Sequence, residues 1–157
     1  MIAGKNLTGM LNKIDSFDMT LRPYSAIVLA LAGLLLAGMG VYFIFLRSSL
    51  LSEDLIYMGS TLENVKMNLP GLLNWLPKVF WVMGGYIFTS GLLTVFISFT
   101  AYRKRTNCAF GIVALAGISS IGLMTMVNFM IDSDFKWLLF SFMLLWVSSL
   151  VLYLLRQ

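Results

Sequence analysis

The stretch Tyr24–Leu46, YSAIVLALAGLLLAGMGVYFIFL, decides the fold. It holds no Asp, Glu, Lys or Arg. A helix needs about 20 such residues to cross ~30 Å of hydrocarbon, and this run has the length. Three more uncharged runs follow, at Val79–Ala101, Cys108–Ile131 and Trp137–Leu155. The chain of 157 residues is 59% hydrophobic and 11% charged, with mean hydropathy +0.88. A soluble domain of that size cannot bury so much apolar surface, so lipid is the expected solvent. The sequence therefore predicts one all-α integral membrane domain, a bundle of four transmembrane helices. An outer loop of about 30 residues, 47–77, joins the first two helices.

Charge sets the expected orientation. With the N-terminus inside, the inner segments carry Lys5, Lys13, Arg22, Arg103, Lys104, Arg105 and Arg156. The outer segments carry Arg47, Lys66, Lys78 and Lys136. Seven against four follows the positive-inside rule and predicts that both termini are cytoplasmic. The net charge of +4 is thus a topology signal, and no nucleic-acid partner is expected. Residues 1–22 lack the apolar core of a cleaved signal peptide, so the chain is expected to insert through its first helix. Leu7, Leu11, Ile14 and Phe17 stand near helical spacing there. They read either as an amphipathic helix on the membrane surface or as a partly ordered tail. Thr20 is a candidate cap for the first membrane helix, with Pro23 in its first turn.

Small residues mark the packing faces. Ala26, Ala30, Gly33, Ala37 and Gly40 form a heptad seam on the first helix, and Gly84, Gly91 and Ser98 repeat every seven residues on the second. Such seams let helix backbones approach closely in lipid. The partner is either another helix of this chain, the default, or a second protein. The third run is rich in Gly, Ala and Ser, and the fourth is bulky. Helices one to three are therefore expected to pack tightly, with the fourth more exposed. Ser90, Thr94 and Ser98 stand at steps of four and are expected to bond to their own backbone. Pro77 either opens the second helix or bends its first turns.

The chemistry available is narrow. The chain has no His, which removes the usual ligand of membrane haem, copper and zinc sites and the commonest general base. The lone Cys108 permits neither an intrachain disulfide nor a cysteine metal site. It reads as a packing residue or free thiol, with juxtamembrane palmitoylation as the alternative. No ionisable residue lies deep in the four runs, unlike proton- or sodium-coupled transporters. No cofactor and no enzymatic activity are expected. Two polar constellations remain. In the outer loop, Asp54, Tyr57 and Glu63, with Glu53 beside them, can bind a cation, position a lipid headgroup or pair with Arg47 or Lys66. Ser60 and Glu63 stand at capping-box spacing, predicting a docked helix over 60–68 with Leu62, Val65 and Leu69 on its apolar side. In the third helix, Thr125 and Asn128 can bond across helices.

Asp54-Leu55-Ile56-Tyr57-Met58-Gly59, then Asn68-Leu69-Pro70 and Gly84-Gly85, resemble a group of small uncharacterised bacterial membrane proteins. Those proteins have four helices, and a Tyr-Met-Gly outer loop leads into a Gly-Gly helix. The resemblance covers residues 53–100 and implies the same fold and a bacterial inner membrane. Where relatives often carry His-Asp before the Gly-Gly pair, this chain has Val79-Phe80-Trp81. The expected function is a non-catalytic accessory or assembly subunit, partnered by membrane lipids and by another membrane protein or a second copy of itself. The alternative is a binder or carrier of an apolar or lipid-like molecule, with the outer loop as a lid.

Overall fold

The computed structural model describes the backbone of residues 3–155 and the side chains of residues 24–155. Regular structure among the described residues is all helical. The elements are α1 (Ala3–Phe45), α2 (Ser52–Tyr57), α3 (Leu62–Asn68), α4 (Leu72–Ile97), α5 (Ala109–Gly117), α6 (Leu123–Met130) and α7 (Lys136–Leu154). A π turn, Ser98–Tyr102, extends α4, and a second, Ile118–Gly122, joins α5 to α6. Four stretches are long and apolar enough to cross a membrane: Tyr24–Phe45, Leu72–Tyr102, Ala109–Met130 and Lys136–Leu154.

Two ends differ from expectation. Helix α1 runs through Thr20 and Pro23 without a break, so Thr20 caps no separate helix. The apolar face expected of residues 1–22 falls on side chains outside the described residues. Helix α4 begins at Leu72, well before Val79, and carries Pro77 inside it. A proline has no N–H to offer the carbonyl four residues back. Here the Ser49 hydroxyl donates to that Leu73 carbonyl at 3.0 Å, so the chain before α4 supplies the missing donor.

Helix α1 is the centre of the bundle: 44% of its apolar window is buried, against 22% for each of the other three. It carries two faces. Gly33, Ala37 and Gly40 are buried against α4, in the same chain; Ala30 is buried too, and Ala26 lies in the core with Leu29 and Leu36. A Cβ on Gly33 would stand 2.9 Å from the Gly91 carbonyl oxygen, and one on Gly84 would stand 2.8 Å from that of Gly40. Backbone thus meets backbone at two levels, and only glycine fits at either. Further along, Thr94 and Ser98 are also buried, and their hydroxyls donate to the carbonyls of Ser90 and Val95 in their own helix. The second face of α1, Ser25, Leu29, Ala32 and Leu36, is buried in the core shared with α7.

Helix α7 answers with Leu139, Trp146, Ser149 and Tyr153, also at heptad steps. Trp146 lies over Gly117 of α5, and its indole N–H donates to the Val113 carbonyl at 3.1 Å. The expected order of packing is therefore changed. The bulky α7 sits between α1 and the third long helix, and α5–α6 packs mainly on α7. A tryptophan needs a small residue opposite it, and Gly117 provides the notch. Small residues on the third helix serve α7 there, and do not draw it onto α1.

At one end, a polar network ties three elements together. The Tyr102 hydroxyl donates to the Ser149 carbonyl at 2.9 Å, and the Ser149 hydroxyl donates to the Ser25 carbonyl at 2.9 Å. The Arg105 guanidinium lies 4.7 Å over the Tyr153 ring and donates to the Tyr153 carbonyl at 3.1 Å.

Gly40→Leu is expected to lower stability in detergent by about 1–3 kcal/mol or more, because the side chain must push two backbones apart. Gly38→Leu, two residues away, meets open space and should cost nothing. The monodisperse fraction after graded heating, followed by size-exclusion chromatography, reads both.

Candidate functional site

Helix α4 and helix α6 make no close interface. Between them, bounded by α1 and α7, lies a cavity of about 890 Å³. That volume is in the ~300–1,000 Å³ range of sites that hold one small molecule. Its walls are apolar: Leu35 and Met39 from α1, Met83 and Ile87 from α4, Leu123 and Met124 from α6, Phe142 from α7. Ser90, Ser119 and Ser120 also line it, but each hydroxyl donates to a carbonyl of its own helix. The body of the cavity therefore offers few free polar groups. The serines and Gly38 keep it wide, and the π turn at Ile118–Gly122 places Ser119 and Ser120 on its wall. Such turns are frequent at functional sites.

One end of the cavity is charged. Arg47, Glu53, Asp54, Asn128 and Ser133 all line it there. Arg47 follows the last turn of α1, and its guanidinium lies 4.5 Å from the Phe80 ring centre and 5.2 Å from that of Phe43. Two aromatic faces hold the cation in place. Its Nη2 donates to Asp54 Oδ2 at 3.3 Å. That same oxygen accepts the Leu51 N–H at 2.9 Å and so fixes the start of α2. The Arg47 Nε–H is buried and meets no acceptor among the described residues. Glu53, the neighbour of Asp54, is 8% exposed. Its Oε1 accepts the hydroxyl of the buried Ser133 at 3.0 Å, across from the α6–α7 turn. Oε2 has only a long contact, 3.5 Å, with the Ser52 hydroxyl. The connection between α1 and α4 is thus pinned to the far side of the bundle by a buried carboxylate.

The expected loop residues separate here. Asp54 lies on the cavity, paired with Arg47, which is one of the two partners the sequence offered it. Tyr57 is 63% exposed and Glu63 is also exposed, and neither lines the cavity. The short helix starts one residue later than the Ser60–Glu63 spacing suggests. Thr61 is its cap, accepting the Asn64 N–H, and Glu63 closes no capping box. Of its three apolar residues only Val65 is buried; Leu62 and Leu69 are exposed. In α6, it is Thr125 that crosses between helices, sharing its hydroxyl between the Ile121 and Leu139 carbonyls at 2.7 and 3.3 Å. The Asn128 amide donates to Met124 in its own helix, and its residue lines the cavity. The sequence marks Arg47 only as a pairing partner, and does not mark Ser133 as a site residue. Their signal was faint: an arginine one turn after Phe43, and a serine between two aspartates.

Among the described residues no three His, Cys, Asp or Glu side chains converge as metal ligands would. No family model matches the sequence, and no curated protein or solved structure matches it either.

Ser133→Ala removes the best hydrogen bond of a buried carboxylate, which typically costs about 1–3 kcal/mol. The expected outcome is faster amide exchange across Ser52–Tyr57, with α7 unchanged beyond its first turn, where the Ser133 hydroxyl also accepts the Phe135 N–H at 3.2 Å. Unchanged exchange in α2 would mean that the Glu53 contact does not hold the connection.

Proposed function

We propose that this chain is a non-catalytic membrane protein that binds one amphiphilic, lipid-like molecule between its helices. The tail lies in the apolar cavity and the head at Arg47, Glu53 and Asp54. The observation that carries this reading is the cavity itself, apolar along its walls and charged at one end. A lipid-like molecule has that same polarity. The connection bearing α2 covers the charged end and acts as the lid. The reading as an accessory subunit drew on the small-residue face of α1 and the bulk of α7. Both are engaged within the chain, against α4 and α5. Those residues therefore give that reading no support of their own.

Lipid as the surrounding solvent is supported by the long apolar helices and by their outer faces, where Leu93, Phe96, Leu115, Ile118, Met130 and Val147 are exposed. In water such surface would drive aggregation. The bias of Lys and Arg places both termini in the cytoplasm, and the loop 47–77 outside. The resemblance of residues 53–100 to bacterial relatives supports the inner membrane.

Two measurements test the reading. Native mass spectrometry from gentle detergent is expected to show one lipid-sized adduct per chain. Gly38→Phe should abolish it, because the ring enters open space on the cavity wall. Gly111→Phe, on an exposed face away from the cavity, should retain it. An adduct that survives Gly38→Phe would place the lipid elsewhere. For orientation, the exposed Cys108 should resist a membrane-impermeant maleimide in intact cells, while Ser60→Cys in a Cys108→Ser background should react. Labelling of Cys108 from outside would reverse the topology.

A further inference from the structure

The geometry points to an amphiphile whose head carries an ammonium beside an oxygen acceptor, as in a phosphoethanolamine lipid; this rests on the cavity being the binding site. The charged end holds one guanidinium and two carboxylates, Arg47 against Glu53 and Asp54. Asp54 and Arg47 already satisfy each other at 3.3 Å. The charge left over is that of Glu53, which is negative and buried. A purely anionic head would face two carboxylates there, and like charges at a binding surface are costly. An ammonium is attracted, and its N–H donors suit a carboxylate whose Oε2 has only a 3.5 Å contact. The second requirement comes from Arg47. Its guanidinium lines the cavity, its side chain 16% exposed, and a guanidinium favours a phosphate oxygen. Tail, ammonium and phosphate are thus matched by three different parts of one cavity.

The proposal commits Glu53 to the ammonium and the Arg47 guanidinium to the phosphate. The test uses the whole purified chain in mild detergent. It is offered phosphatidylethanolamine and phosphatidylglycerol with identical acyl chains, in competition, read by native mass spectrometry. The wild type should favour phosphatidylethanolamine by about tenfold or more, the scale of one charge-assisted hydrogen bond. Glu53→Gln should bring the ratio close to one while lipid remains bound. Glutamine keeps an oxygen for the Ser133 hydroxyl, and the wild-type comparison stands even if that variant misfolds. Equal or stronger binding of phosphatidylglycerol by the wild type would overturn the assignment, as would an unchanged ratio in folded Glu53→Gln. The two levels separate cleanly. Adducts that vanish in Gly38→Phe but show no head preference refute the head assignment alone. Absence of any adduct, or adducts indifferent to Gly38→Phe, refutes the cavity reading and this proposal with it.

Discussion

The close approach of α1 to α4 governs the rest of the molecule. At Gly33–Gly91 and Gly40–Gly84 the two backbones touch with no side chain between them. That contact uses one face of α1 completely. The other face is taken by α7, with Leu29, Ala32 and Leu36 in the shared core. A helix with both packing faces filled has nothing left for α5–α6, which must lean on α7 through Trp146 and Gly117. The four long helices therefore form an arc, α4–α1–α7–α5/α6. The space between the two ends of the arc is the cavity.

The arc does not close equally at both ends. At the Tyr102 end, the buried hydroxyl chain from Tyr102 through Ser149 to Ser25 joins α4, α7 and α1, and the π turn at Ser98–Tyr102 brings Tyr102 inward to make it. At the other end, the Glu53–Ser133 bond makes the tie, and it runs through a short helix in a connection. One end is fixed by rigid long helices, and the other by an element of six residues. Local opening follows the weaker tie, so entry to the cavity is expected beside α2.

The four long helices were legible because apolar length is a property of local sequence. Lipid asks only that a segment be long, apolar and uncharged, and each run answers that without knowing its neighbours. Their arrangement was less legible. The seam Ala26–Gly40 announces close packing but not its partner, and the small residues of α5 suggest tight packing among the first three long helices, whereas Gly117 receives Trp146 of α7. The start of α4 was hidden because the donor that tolerates Pro77 is Ser49, far away in sequence. The cavity was invisible for a simpler reason. Gly38 and Gly40 are the same residue two positions apart, yet one borders empty space and the other is locked against α4. A small side chain marks either close packing or its absence, and only the fold decides which.

The charged end carries a thermodynamic argument of its own. Burying Glu53 and most of Arg47 costs desolvation, and a pair of this kind is weak support for stability, since apolar residues of similar volume often hold a fold as well. Leu or Met at position 53, with Ala at 133, would dock α2 on the bundle without that penalty. The chain instead keeps a carboxylate with one good partner and a guanidinium with one donor unmet. Both side chains line the same cavity, and their charges are of opposite sign. On the proposed reading a zwitterionic head offers a partner to each of them, and the desolvation cost is returned as selectivity among heads. A neutral lid would admit any apolar tail; on that reading a charged one discriminates by what the tail is attached to.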